Sequence, residues 1–121
     1  AEPDDAFKSK VKAADPAVSS FLYSAEAYDA TVLAALAATV AHNDAGLSIA
    51  KRLREVSEGG IKCTSYAECL DVLKTQSDID YDGVSGPITF DRNGDPGTAH
   101  YGIYRYDAAN RFARVGGKVG G

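Results

Sequence analysis

Three aspartates and a glycine between residues 78 and 83 have the spacing of the first half of a calcium-binding EF-hand loop. Asp78, Asp80 and Asp82 are two residues apart, and Gly83 stands where such a loop turns sharply. Alternate carboxylates of that loop point inward and coordinate the ion through their oxygens. The pattern therefore raises the possibility of a metal site.

The remainder of the calcium pattern is absent. The twelfth position, which needs a bidentate acid, is Thr89, and Gly86-Pro87 interrupts the helix that should follow. A second acidic stretch, Asp91-x-Asn93-x-Asp95, has a proline where the glycine is required. We expect no metal site, and we interpret both stretches as solvated turns whose Asp and Asn side chains bond their own backbone.

The two cysteines lie close enough in sequence to form a disulfide. Cys63 and Cys69 are six residues apart, which within one helix would be about 9 Å, too far for a bridge. Ser65 and Glu68 form a capping box, so a helix is expected to start at Tyr66 and the chain before it can fold back. A disulfide would stabilise the protein by about 2–3 kcal/mol and place it outside the reducing cytoplasm. The alternative is two buried free thiols.

The remaining chemistry-bearing residues do not indicate catalysis. His42 and His100 have no nucleophile or paired acid beside them, and they lack the spacing to the cysteines that a zinc site needs. The net charge of −4 argues against a broad nucleic-acid-binding surface. We predict a non-enzymatic protein without a cofactor.

The elements that must position these residues are helices first and short strands later. Helices are expected after Pro3, from about Leu22 to Ala41, from Asp44, and from Tyr66 to about Thr75. The sequences "AHYGIYRYD" and "RFARV" flank "DAAN" and predict a C-terminal hairpin, and residues 116–121, "GGKVGG", predict a flexible tail.

The helix over 22–41 is apolar around most of its surface, and a helix of this kind needs partners on most sides. The chain has no continuous Val/Ile/Leu runs of the sort that parallel strands show. We therefore expect the helix to lie against strands that another stretch of polypeptide provides, and part of the protein to be missing from this chain.

Three segments together resemble a known family. They are "FLYSAEAYDATVLAALAA", "VSEGGIKCTSYAECLDVLK" and "DIDYDGVSGPITFDRNGDPGTAHYGIYRYD". They look like the C-terminal portion of a type I periplasmic (solute-binding) protein of the branched-chain amino-acid ABC transporter family. The resemblance implies an α/β fold class in which two lobes close on a small ligand. This chain would be a fragment, with residues 1–115 an incomplete lobe.

The resemblance also implies a function and partners. The protein would be the substrate-binding component of an ABC transporter for branched-chain or related amino acids, delivering its ligand to a membrane permease. Its location would be extracytoplasmic, at the cell surface or in the periplasm, with a lipid-anchored parent. The fragment could form a homodimer through its exposed helix face. The alternative is a stand-alone secreted module that binds calcium or a protein partner.

The resemblance implies three ligand-binding residues. In the family, the aromatic residue five positions before the tyrosine of "YDA" lies near the cleft, and that position is Tyr23 here. Tyr23 would pack on the ligand side chain, with Phe21 and Glu26 as further candidates. The alternative is that Tyr23 only fills the helix–sheet interface. Tyr28 and Tyr66 are expected to pack internally.

Overall fold

The computed structural model describes residues 2–120. The α/β class predicted from the sequence is confirmed, since helices and strands share one core. In chain order the elements are α1 (Asp5–Ala14), α2 (Ser24–Ala41), α3 (Gly46–Arg52), β1 (Ile61–Cys63), α4 (Tyr66–Leu73), β2 (Ile79–Gly83), β3 (Gly86–Pro87), β4 (Ala99–Tyr106) and β5 (Phe112–Gly120).

Side-chain caps define where α1 and α4 begin. The Asp4 carboxylate accepts a hydrogen bond from the Phe7 N–H at 2.7 Å. The Ser65 hydroxyl accepts one from the Glu68 N–H at 3.2 Å. Each cap satisfies a backbone donor that has no partner inside the helix. The Glu68 carboxylate in turn accepts from both the N–H and the hydroxyl of Thr64, each at 2.8 Å, one residue before the cap.

The predicted disulfide is present. Cys63, the last residue of β1, is bonded to Cys69 in α4, with the two Cα atoms 5.2 Å apart. Both cysteines are completely buried. The bond therefore joins a strand to the following helix inside the core.

Strands β1 and β2 pair in parallel, with α4 crossing between them, and β3 pairs antiparallel with β2. The prediction that the chain lacks parallel strands is wrong, and so is the interpretation of residues 78–83 as a solvated turn. β1 has only three residues, and β2 alternates aspartates with Ile79 and Tyr81. Because alternate strand residues face opposite sides, the buried Ile79 and Tyr81 reach the core.

One face of α2 covers this sheet. Its buried residues recur at helical spacing: Ala25, Asp29, Val32, Leu33, Leu36 and Ala37. Four of them, Val32, Leu33, Leu36 and Ala37, share the core with Val56, Cys63, Cys69, Ile79 and Tyr81. The expectation that α2 depends on strands from another polypeptide is wrong for this face, because α3, α4 and β2 of the same chain pack against it. The side that carries Ala27, Thr31 and Ala35 is exposed.

No single helix within residues 2–120 is long and apolar enough to cross a membrane. α2 and α3 together have that length and composition, but the chain bends by 99° at the break between them.

The predicted C-terminal hairpin forms from β4 and β5, with a register irregularity at Ile103/Tyr104. The predicted flexible tail is wrong, because residues 116–120 pair with Ala99–Ile103 as the second half of β5. A glycine-rich sequence has little strand preference of its own, but here the partner strand supplies its hydrogen bonds. Gly121 lies outside the described residues.

Candidate functional site

A buried carboxylate joins α2 to the turn between β2 and β3. Asp29 is 1% exposed. Its Oδ1 accepts from the Tyr81 hydroxyl at 2.8 Å and the Val84 N–H at 3.1 Å, and its Oδ2 accepts from the Ser85 N–H at 2.7 Å and the Ser85 hydroxyl. These four donors stabilise the buried charge and hold the turn against the helix.

The same contact explains why residue 83 is a glycine. A Cβ atom at this position would lie 2.1 Å from the Asp29 Oδ1, so only glycine allows the approach. Burial raises the pKa of the Tyr81 hydroxyl, and the hydrogen bond to Asp29 raises it further. Tyr81 therefore stays protonated and serves as a donor to the carboxylate.

A cavity of about 380 Å³, here called the larger cavity, lies between α2 and the segment 85–100. This volume falls in the range of small-molecule sites. Its lining is mostly apolar and includes Ala30, Leu33, Ile88, Phe90, Pro96 and Ala99. Asp29 and Ser85 lie at its edge, so the hydrogen-bonded turn forms one of its borders.

An ordered turn holds the outer wall of the larger cavity in place. Phe90 and Pro96 form an antiparallel bridge, and between them Asp91 Oδ1 accepts from the N–H groups of Asn93 at 2.7 Å and Asp95 at 2.9 Å. These backbone hydrogen bonds lower the pKa of Asp91, and the bond from the Asp95 N–H has the larger effect. The prediction that this acidic stretch is a self-bonded turn is confirmed.

A second cavity of about 220 Å³, here called the smaller cavity, lies between the start of α2 and the hairpin. Tyr23, Tyr104 and Arg114 contribute to its lining. Glu26 and His100 line both cavities, so the two adjoin each other. A polar space therefore opens beside an apolar one.

The structure brings Tyr23 and Glu26 together and leaves Phe21 apart. Tyr23 occupies the N-cap position of α2 with φ 60°, in the left-handed region, and its residue is 77% exposed. Phe21 lines neither cavity, and its carbonyl accepts from the Ser24 N–H at 3.1 Å and the Ser24 hydroxyl at 2.7 Å. Tyr23 does not fill a helix–sheet interface, and the ligand-binding role of all three residues stays a prediction.

The expectation that Tyr28 and Tyr66 pack internally is wrong, since both side chains are exposed. Tyr28 makes an edge-on contact with the ring of Phe7, with centroids 5.4 Å apart. The Tyr66 hydroxyl lies 3.3 Å from the Thr39 hydroxyl. Tyr28 therefore packs against a residue of α1, and Tyr66 of α4 lies beside α2.

The aspartates of the apparent calcium pattern bind a lysine. The Lys62 Nζ lies 3.0 Å from the Asp80 Oδ2 and 2.8 Å from the Asp82 Oδ2. Hydrogen bonds to Asp82 and Asp80 raise the pKa of Lys62, and the bond to Asp82 has the larger effect. An extended strand sets alternate carboxylates in a row, whereas a calcium loop arranges them around a centre. Within residues 2–120, no group of three or more His, Cys, Asp or Glu side chains is arranged to hold a metal ion.

Sequence reasoning missed three residues of this region, namely Asp29, Ser85 and Arg114. One signal was available for Asp29, because a charged residue stands on the otherwise apolar face that contains Ala25 and Val32. A buried charge at such a position needs several donors, which the pattern alone does not locate. Ser85 and Arg114 carried no signal, since their roles depend on contacts across the fold.

Comparison with known families identifies the chain as part of a ligand-binding region. The family model described as "Receptor family ligand binding region" matches residues 4–109. That family has the two-lobed type I periplasmic-binding-protein fold. Comparisons with curated proteins and with solved structures found no match to the chain.

Proposed function

The chain belongs to the receptor ligand-binding family with the type I periplasmic-binding-protein fold, and from this we propose that it is part of the substrate-binding component of an ABC transporter for branched-chain or related amino acids. The family is a ligand-binding, non-enzymatic one. In the proposed protein, two lobes close on the ligand, and the ligand stabilises the closed state because it touches both. This chain would supply part of one lobe.

The match over residues 4–109 is the observation that carries this proposal. The presentation of Tyr23 supports the proposed site. A positive φ is rare for a bulky residue, and strain of this kind is found preferentially at ligand sites. The exposed ring of Tyr23 lies at the N-terminus of α2, beside Glu26, and is available to an apolar ligand side chain.

The proposal includes a location and a partner. The family and the Cys63–Cys69 disulfide are consistent with an extracytoplasmic location. We place the protein at the cell surface or in the periplasm, with a lipid-anchored parent, where it would deliver its ligand to a membrane permease.

Calorimetry with leucine on the complete protein that contains this chain tests the proposal. We expect binding, and we expect Tyr23→Ala to raise the Kd about tenfold, since a lost aromatic contact costs about 1–1.5 kcal/mol. Tyr106→Ala, at the far end of the hairpin, is the matched control and should bind normally. Absence of binding to leucine, isoleucine and valine would contradict the transporter proposal. Unchanged affinity in Tyr23→Ala would remove only this residue from the site.

A further inference from the structure

We propose that the outer face of the C-terminal hairpin binds a bilayer surface that contains anionic phospholipid. The outer face is formed by four exposed side chains on one side of the β4–β5 pair, Tyr101, Ile103, Arg105 and Lys118. The opposite side carries Tyr104 and Arg114, which line the smaller cavity. Of the four outer-face residues, only Tyr101 also lines that cavity. The surface is therefore distinct from the site that the transporter proposal uses, and the inference does not rest on that proposal.

The hairpin is a basic part of an acidic protein. Residues 99–120 contain four Arg and Lys residues and one carboxylate, Asp107, although the whole chain has a net charge of −4. The Asp107 carboxylate is occupied by the Arg111 guanidinium, 2.9 Å away. Among the residues that the structure describes, no carboxylate pairs with Arg105 or Lys118. The outer face therefore presents two uncompensated cations.

Small residues on β5 keep the outer face flat. Apart from Lys118, the β5 positions on this side are Ala113, Gly116 and Gly120. A Cβ atom at Gly120 would lie 3.4 Å from the Tyr101 ring, and one at Gly116 would lie 4.0 Å from the Ile103 Cδ1. The β4 side chains therefore extend over glycines of the "GGKVGG" sequence. Because no bulky side chain rises between them, the apolar groups and the cations can meet a planar surface together.

The position of the hairpin leaves it free to reach such a surface. Strand β4 has eight residues, which is about 26 Å of extended chain. Strands β4 and β5 pack mainly on each other, and within residues 2–120 no other helix or strand makes an extensive contact with either. Tyr101 is 59% exposed and Ile103 is 51% exposed, so both have apolar area to bury. Tyrosine rings favour the headgroup region of a membrane, where the ring is sheltered and the hydroxyl stays hydrated.

The combination of apolar side chains with cations favours a bilayer over other negatively charged partners. Ile103 has no role against the phosphate backbone of a nucleic acid, whereas a bilayer offers an apolar layer directly beneath its anionic headgroups. The acidic groups of a second copy are partly taken up already, since Lys62 binds Asp80 and Asp82. Binding to lipid should be reversible, because each cation near an anionic surface raises affinity only about fivefold.

Sedimentation of the 121-residue chain with lipid vesicles tests the proposal, at protein concentrations below the onset of self-association. The vesicles consist of phosphatidylcholine alone, or of an equal mixture of phosphatidylcholine and phosphatidylglycerol. We expect at least tenfold stronger partitioning to the mixture. Arg105→Gln and Lys118→Gln should each weaken that binding about fivefold. Lys51→Gln, which removes an exposed charge on α3, is the matched control and should stay within twofold of wild type.

A change of the apolar side chain tests insertion independently of charge. Ile103→Ser should weaken binding to the mixed vesicles about fivefold, because its side chain no longer gains by leaving water. Circular dichroism checks that each variant keeps the fold. Unchanged binding of Ile103→Ser would overturn the assignment to a bilayer.

Equal partitioning to the two kinds of vesicle, or no binding to either, would overturn the proposal. A loss in Lys51→Gln as large as that in Arg105→Gln would also overturn it, because a charge anywhere on the chain would then suffice. Binding of a single-stranded oligonucleotide that Arg105→Gln weakens, together with no vesicle binding, would assign the face to nucleic acid instead. Leucine binding by the complete protein is a separate measurement, so the two proposals can fail independently.

Discussion

At the scale of single residues, Asp29 controls the geometry around the larger cavity. Its two oxygens connect α2 to the Tyr81 hydroxyl and to the backbone and side chain of Ser85. Because the carboxylate is buried, each donor that faces it replaces a water molecule that the charge has lost. Removing the charge leaves donors facing a group that cannot accept from all of them.

Asp29→Asn should lower the free energy of unfolding by about 2–3 kcal/mol, since its amide turns a donor toward donors and a charged hydrogen bond contributes about 1.5–3 kcal/mol. Urea denaturation measures the change. Tyr81→Phe removes one donor to the same charged carboxylate and should cost about 1.5–2 kcal/mol. A variant Asp29→Asn that unfolds at the wild-type urea midpoint would refute this role.

Glu68 should make stability depend on pH. Hydrogen bonds from the Thr64 N–H and then the Thr64 hydroxyl lower the pKa of Glu68 in the folded protein. Its contribution is therefore complete above the unfolded-state pKa of about 4.3 and is lost as the pH falls through the folded-state pKa.

We expect wild type to be more stable than Glu68→Gln at pH 7, with the difference shrinking between pH 5 and pH 3. Urea midpoints measured across that range provide the comparison. A difference that stays constant with pH would show that the Glu68 charge contributes nothing.

At the scale of elements, β1, α4 and β2 form a parallel strand–helix–strand unit that the disulfide closes. The three residues of β1 offer few ladder hydrogen bonds. The covalent bond to Cys69 compensates by holding β1 against α4 in the core.

Loss of the disulfide should lower the free energy of unfolding by about 2–3 kcal/mol, because the short loop gains freedom mainly in the unfolded chain. The double variant Cys63→Ala/Cys69→Ala, compared with wild type in urea, measures this. A reducing agent should bring wild type to the midpoint of the double variant and leave the variant unmoved. If reduction does not shift the wild-type midpoint, the bond does not stabilise the unit.

At the scale of the whole molecule, the hairpin carries seven of the fourteen large apolar side chains that are exposed among residues 2–120. Its exposed large side chains are Tyr101, Ile103, Tyr104, Tyr106, Phe112, Val115 and Val119. A two-stranded hairpin is marginally stable by itself, and apolar patches of this kind are interaction surfaces. The exposed side of α2, where a homodimer contact was predicted, carries mainly small residues such as Ala27 and Ala35.

The chain should associate reversibly with rising concentration, and mainly through the hairpin. Ile103→Lys/Val115→Lys places two charges on the hairpin and should shift the protein toward monomer in analytical ultracentrifugation. Ala27→Lys/Ala35→Lys places two charges on α2 as the matched comparison. Greater loss of association in the α2 variant would favour the helix-face dimer instead.

Local chemistry was readable from the sequence. The caps at Asp4 and Ser65, the Cys63–Cys69 bond and the Asp91 turn join residues only a few positions apart. Their donors and acceptors are held together by the chain itself, so the residue types and their spacing are sufficient to predict them. The C-terminal hairpin belongs to the same group, because its two strands flank a short turn.

Long-range pairing was decided only by the tertiary structure. β2 looked like a calcium loop or a turn, and Gly116–Gly120 looked like a flexible end, because strand formation depends on a partner that the local sequence does not name. Asp29 and Ser85 lie 56 positions apart, and only packing of α2 on the sheet brings them together. The two cavities have the same origin, since the helix, the turn and the hairpin that enclose them meet nowhere but in the folded chain.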